Sequence, residues 1–258
     1  MLYGFVKRRV RATLKRFGYA IVPATSIRDP NQDFDHATRR LFQCVKPFTS
    51  SGIERVAALR QAVKYITDHQ IPGDIVECGV WKGGSMMTIA RTLIENDSAD
   101  RKLYLFDTFN GMTTPTPADV DLRGNVASNL LDEAYAIREK ASIWAIAPLE
   151  LVRQSMQSTG YDEEKIAYVM GQVEETIPMA APDTIALLRL DTDWYESTYH
   201  ELVHLFPRLA VGGVLIIDDY GHWQGAKRAV DQYLAENNLR LLLSRIDYTG
   251  RICVKVDP

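Results

Sequence analysis

The strongest constraint on the fold is a succession of short apolar runs, each ending near a glycine or an acid and each followed by helical or loop sequence. Residues 74–77 (DIVE) lead to Gly79, 103–106 (LYLF) to Asp107, 165–170 (KIAYVM) to Gly171, 185–190 (IALLRL) to Asp191, and 214–217 (VLII) to Asp218 and Asp219. Runs this short and this apolar, alternating with helical segments such as 53–69 and 83–95, predict a parallel sheet buried on both faces. Ser51 is the expected N-cap of the first helix. The closing runs 239–246 and 251–256 flank Asp247-Tyr248-Thr249-Gly250 and read as a hairpin, which places an antiparallel strand at the end of the sheet.

Between the second and third runs lies a long interruption, 111–162, which opens with MTTPTP and contains Trp144. Insertions of this length in compact domains are usually lids or flexible loops. This one leaves the carboxyl end of a strand, so a lid over a site is expected. The domain reading is an N-terminal basic helix, linker and cap over 1–48, followed by one α/β domain over 49–258.

The first 22 residues carry Lys7, Arg8, Arg9, Arg11, Lys15 and Arg16, and no acid precedes Asp29. Leu2, Phe5, Val6, Val10, Leu14 and Phe17 lie close to helical spacing. Such a helix can rest on an anionic membrane surface or a partner, or dock on its own domain or a second subunit. No apolar run approaches the ~20 residues of a bilayer span. Cys44, Cys78 and Cys253 are isolated, odd in number and in no metal-ligand spacing, as expected of reduced cytoplasmic thiols. A net charge of -3 argues against nucleic acid as the partner, since phosphate binding needs a concentrated basic surface.

Three groups of residues carry chemistry. Glu77-Cys78-Gly79-Val80-Trp81-Lys82-Gly83-Gly84-Ser85 follows a strand and opens a helix, so backbone amides there can meet a carboxylate or phosphate. Its spacing is not the G-x-G-x-x-G of dinucleotide sites. Asp107, at the next strand tip, suits the paired hydroxyls of a ribose; an acid capping a turn would look the same. Asp191 and Asp193 at one tip and Asp218 and Asp219 at the next bring carboxylates together at neighbouring edges. Their repulsion calls for a cation between them, and Mg²⁺, an oxygen-seeking ion that leaves positions for substrate, answers it. Such an ion would acidify and fix a substrate hydroxyl.

The blocks 73–85, 190–198 (LDTDWYEST) and 212–220 (GGVLIIDDY) resemble the macrocin O-methyltransferase (TylF-like) family, over roughly 49–234. The resemblance implies a Rossmann-like class I methyltransferase with a mostly parallel seven-stranded sheet, helices on both faces and an antiparallel C-terminal strand. It implies S-adenosylmethionine and Mg²⁺ as cofactors, a sugar hydroxyl of a small molecule as acceptor, and a homo-oligomer. Glu77, Gly79, Val80, Trp81, Gly83 and Ser85 match the cofactor turn, with Ser85 near the methionine carboxylate. Asp107 matches the ribose acid and Gln172 the adenine contact, while Thr49, Ser51 and Arg55 match a segment folded over the cofactor. Asp191, Asp218 and Asp219 match the metal ligands. Trp194 stands where catechol-type relatives carry a lysine base, which leaves Asp191, Asp193 or His222 to take the proton. A dehydrogenase would have no use for the paired acids after Ile217, a scaffold no use for Asp191, Asp218 and Asp219 together, and a metal-independent methyltransferase would work without the ion.

Overall fold

The computed structural model describes residues 10, 13–17 and 33–256. Contacts divide the chain into Met1–His36 and Ala37–Pro258. In the first unit residues 13–16 are helical, with Phe17 N donating to Leu14 O at 3.0 Å. Most of the basic helix expected over 1–22, and of the linker expected after it, lies outside the described residues.

The second unit begins with α1 (His36–Val45) and α2 (Ile53–Asp68) and then alternates. Strand β1 (Asp74–Cys78) is followed by α3 (Gly84–Glu95), and β2 (Leu103–Asp107) by α4 (Ala127–Ala134) and α5 (Leu149–Gln157). Next come β3 (Ile166–Met170), the single turn α6 (Val173–Thr176), β4 (Ile185–Leu190) and α7 (Tyr195–Leu205). The chain closes with β5 (Leu209–Ile217), α8 (Gln224–Glu236), β6 (Ser244–Arg245) and β7 (Arg251–Val254). No helix among the described residues is long and apolar enough to cross a membrane.

The seven strands form one sheet in the order β3-β2-β1-β4-β5-β7-β6. The pairs from β3 to β5 are parallel, and β7 runs antiparallel to β5 and β6. The expected class I architecture is therefore present. Because neighbouring residues of a strand face opposite sides, Ile75, Leu105 and Leu187 join α2, α3 and α5 in one core, while Val76, Phe106 and Leu188 join α7 and α8 in the other. Leu41 and Val45 of α1 belong to the first core.

Chain order reverses between β1 and β4, the place where open α/β sheets leave a crevice at their carboxyl ends. The ladder continues one step past the strands there: Gly79 N donates to Phe106 O, Asp191 N to Cys78 O and Asp218 N to Leu190 O, each at 2.9 Å. The 111–162 interruption divides in two. Val152 and Met156 of α5 lie in the first core, so this helix is part of the sandwich. Residues 111–145 cover the crevice.

Candidate active site

The crevice is a cavity of about 450 Å³. It is bordered by the turn after β1, the tips of β2, β4 and β5, the 111–145 segment and the C-terminal hairpin. Gly79 shows why that turn needs glycine. Its φ is +80°, and a Cβ would lie 2.0 Å from the carbonyl oxygen of Asp191. The backbone of β1 thus passes directly against the acid-bearing tip of β4.

Asp107 fastens the same turn from the other side. One carboxylate oxygen accepts from Val80 N (2.6 Å) and Trp81 N (2.9 Å), and the other from Phe109 N (2.7 Å). Burial raises its pKa, against which these amides pull. Three N–H groups use most of the roughly four lone-pair sites of a carboxylate. Asp107 therefore shapes the turn in addition to facing the cavity.

Beneath the tips lies Arg189, 3% exposed and next to last in β4. Strand register sets Glu77 of β1 directly beside it, and the two form an ion pair. Arg189 also pairs with Asp191 at 2.7 Å and Asp218 at 2.8 Å. Arg55 of α2 completes the arrangement by pairing with Asp218 and, at 3.1 Å, with Asp247 of the hairpin. Burial pushes Glu77 up to about 7 in spite of its arginine. Burial would raise Asp218 as well, but Arg189 and Arg55 together outweigh it and hold its pKa down.

Above this layer, carboxylate oxygens of Asp191, Asp193 and Asp219 all lie within 4.8 Å of one another. Burial is the main cause that drives Asp191 and Asp219 well above the ordinary carboxylate range, and their acidic neighbours add to it. Asp193, whose backbone is left-handed (φ +69°), is raised to about 7, again chiefly by burial. Glu201, fully buried on α7, accepts from Thr192 Oγ1 at 3.0 Å and so holds the loop between the first two acids. Arg55 and Arg189 thus pair with four carboxylates (Glu77, Asp191, Asp218 and Asp247), while Asp193 and Asp219 have no arginine partner among the described residues, so a cation entering the trio would take the place of protons that their raised pKa values retain.

The trio brought together differs from the Asp191, Asp218 and Asp219 implied by the family resemblance. Asp218 is turned to the two arginines, and Asp193 lies with the others. Among the expected cofactor residues, Thr49, Arg55, Gly79, Val80, Trp81, Ser85, Asp107 and Gln172 line the cavity. Glu77, Ser51 and Gly83 do not. Glu77 is sealed against Arg189, Ser51 N donates to Thr49 Oγ1 at 3.0 Å, and Gly83 is the left-handed N-cap of α3.

The rest of the cavity mixes apolar and aromatic side chains such as Met112, Ile143 and Trp223 with polar ones such as Ser142 and Glu174. Trp223 and His222 line it, with Trp194 packed edge-on behind Trp223 at 4.9 Å between ring centroids. The covering segment is latched over them. Trp194 Nε1 donates to Thr113 O at 3.1 Å, Gln224 N to Val120 O at 2.8 Å, and Asp119 accepts from Tyr195 N at 2.8 Å. His222 Nδ1 is buried without a hydrogen-bond partner, and burial lowers its pKa, which favours a neutral imidazole. Sequence reasoning missed Arg189, Glu201, Trp223 and Tyr248. Arg189 had a signal: a lone charge inside an apolar run needs a buried partner, and Glu77 sits in the neighbouring run.

Comparison with known proteins decides what this geometry belongs to. The family model described as macrocin O-methyltransferase (TylF) matches residues 13–255. The chain belongs to this family. It is accordingly an S-adenosylmethionine-dependent O-methyltransferase, and the relatives it resembles carry O-methyltransferase names. Demethyldecarbamoylnovobiocin O-methyltransferase of Streptomyces niveus is 35% identical over 202 residues, which cover 78% of this chain and 73% of that one. The 8-demethyl-8-(2,3-dimethoxy-alpha-L-rhamnosyl)-tetracenomycin-C 4'-O-methyltransferase of Streptomyces olivaceus is 33% identical over 202 residues, covering 78% of this chain and 73% of its own. The solved O-methyltransferase NovP superposes with a TM-score of 0.69 at 33% identity, covering 81% of this chain and 83% of that structure.

Proposed function

We propose that the enzyme methylates a sugar hydroxyl of a glycosylated small molecule, with a divalent cation of the Mg²⁺ type held by Asp191, Asp193 and Asp219. The observation that carries this reading is the carboxylate trio opening into the same cavity as the glycine turn. Hard oxygen donors at this spacing fit such an ion, which would bind by displacing the protons that burial keeps on them. The sugar class rests on the rhamnosyl group in the name of a relative.

When bound, S-adenosylmethionine supplies an electrophilic methyl on a sulfonium, and the divalent ion supplies acidification and placement of an acceptor hydroxyl. Ser85 and the free amides at the N-terminus of α3 would bind the methionine carboxylate. Asp107 would present a remaining lone pair to the ribose, and Gln172 would lie against the adenine. Arg189 neutralises Glu77 and Asp218 from below and keeps one oxygen of Asp191 in place. Of the three expected bases, Asp191 is the one paired with an arginine, which leaves Asp193, as ligand and base at once, or His222 to take the hydroxyl proton. Both stand on the acceptor side, where Trp223 and the latched segment exclude water. Holding the two reactants in this geometry is worth roughly 7–11 kcal/mol of the barrier.

The test is methyl transfer from radiolabelled S-adenosylmethionine to a panel of rhamnosylated acceptors, with Mg²⁺ or with excess EDTA. The reading expects label on a sugar oxygen, loss of transfer in EDTA and recovery on adding Mg²⁺. Undiminished transfer in EDTA would reject the role of the ion, and label elsewhere than on a sugar would reject the acceptor class.

A further inference from the structure

The turn of the C-terminal hairpin is built with more care than a loop at a cavity mouth needs for folding. One oxygen of Asp247 accepts from Thr249 N (2.9 Å) and Gly250 N (2.7 Å), and the other pairs with Arg55. Ile246 N closes the turn on Gly250 O at 3.0 Å. The turn is then bonded to the acid-bearing tip of β5: Thr249 Oγ1 donates to Asp218 O (2.7 Å), and Gly221 N to Thr249 O (2.9 Å). The two backbones are so close that a Cβ on Gly221 would lie 2.0 Å from the carbonyl oxygen of Tyr248. Tyr248 is therefore carried at a set position relative to the acids, in a turn that Asp247 ties to their charge network through Arg55.

Its side chain is used differently from the other rings of the site. Trp194 is 3% exposed and Trp223 5%, whereas Tyr248 lines the cavity and is 54% exposed. The rings form a row. Trp194 follows Asp193 in the chain, Trp223 is 4.9 Å from Trp194, His222 is 5.0 Å from Trp223, and Tyr248 is 6.0 Å from His222. The row runs from the acid loop out to solvent. A hydroxyl held at the acids puts its own sugar ring beside Trp223 and His222. What reaches Tyr248 has to be the part of the acceptor beyond that ring. A large aromatic face left half in water on a rigid turn is suited to a flat or apolar group, which it would cover on binding.

We propose that Tyr248 is a specificity-determining residue that receives the apolar aglycone attached to the reacting sugar. This rests on the sugar O-methyltransferase reading above. The test compares two glycosides that differ only in the aglycone, methyl α-L-rhamnopyranoside and p-nitrophenyl α-L-rhamnopyranoside, at saturating S-adenosylmethionine and Mg²⁺. The wild-type enzyme should prefer the aryl glycoside in kcat/KM by about 10-fold or more, an effect of the size that one apolar contact gives. Tyr248→Ala should abolish this preference by raising KM for the aryl glycoside about 10-fold, a larger change than any in kcat, in the constants for the methyl glycoside or in the affinity for S-adenosylhomocysteine. Tyr248→Phe should retain the preference, because the ring rather than the hydroxyl makes the contact. Saturation-transfer NMR on the complex with S-adenosylhomocysteine reads binding without turnover, and the aryl protons should lose signal in Tyr248→Ala alone. An aryl preference that survives Tyr248→Ala, or an equal loss for both glycosides, overturns the role of Tyr248 and leaves the proposed function standing. Aryl binding through Tyr248 without methyl transfer to either glycoside overturns the proposed function instead.

Discussion

Replacing Arg189 by methionine removes the cation that Glu77, Asp191 and Asp218 share, while keeping much of the volume of the side chain. Arg189 is 3% exposed, and Glu77 and Asp218 are 0% and 2% exposed, so water cannot take over its role. Removing one partner of a buried ion pair costs about 3–5 kcal/mol, because a charge is left without compensation. For a domain of this size each kcal/mol lowers Tm by about 2–4 °C, so the expected fall is about 6–20 °C. The sign of the pH dependence follows from the carboxylates. In the wild type Asp218 is held low by its arginines, and that contribution is present above its unfolded pKa. Without Arg189, Asp218 would titrate above its unfolded value and Glu77, already raised to about 7 beside the arginine, would rise further, so stability would drop as pH rises through that window. The deficit in Tm should therefore be larger at pH 8 than at pH 5.5, read by scanning calorimetry at both values. A variant within 2 °C of the wild type at pH 8, a small fraction of the shift expected for a lost buried pair, or with a deficit independent of pH, would refute the claim that this guanidinium holds the site together.

Three more outcomes follow from the geometry. Asp107→Asn trades one acceptor oxygen for an amide that faces the N–H groups of Val80 and Trp81 or of Phe109; the lost hydrogen bonds, about 1–3 kcal/mol, should weaken S-adenosylhomocysteine binding about 5- to 150-fold by isothermal titration, and unchanged affinity would contradict the clamp. Asp193, raised to about 7 by burial, keeps a proton in the folded state that the unfolded chain has lost, so stability falls as pH climbs from about 4 towards 7. A divalent ion must displace that proton, so the rise in Tm on adding Mg²⁺ should be greater at pH 8 than at pH 6; an equal or smaller rise would count against ligation by Asp193. Asp119, fully buried, joins Thr116 of the covering segment to Tyr195 N, and Asp119→Ala should speed limited proteolysis within residues 111–145 while leaving the sheet intact.

The strands were legible because a strand buried on both faces must be apolar throughout, and the acid or glycine after each one marks where it meets the crevice. The start of β5 was not. The ladder begins at Leu209, five residues before the apolar run, because Gly212 (φ +83°) and Gly213 carry the pairing across a bulge that reads as a turn. Helix α2 is capped at Gly52 in place of Ser51, whose amide is taken up by Thr49. In the site, sequence located the four aspartates but not their directions. Asp218 lies two residues past Ile216, which pairs with Arg189, so strand alternation turns it to the side of the guanidinium. Asp193 reaches the cluster through a left-handed backbone that neither residue type nor spacing announces. The role of the hairpin is non-local. Only the fold brings Asp247 to Arg55 and Tyr248 to His222.

The proposed divalent ion, if Asp191, Asp193 and Asp219 hold it beside the cofactor, has a position that can be seen. Anomalous diffraction from crystals grown with Mn²⁺ and S-adenosylhomocysteine tests it most directly. A single Mn²⁺ peak is expected within coordination distance of all three carboxylates, with Asp218 still turned to Arg189 and Arg55. A peak ligated by Asp218 in place of Asp193, or no peak in crystals whose enzyme is fully active, would contradict it.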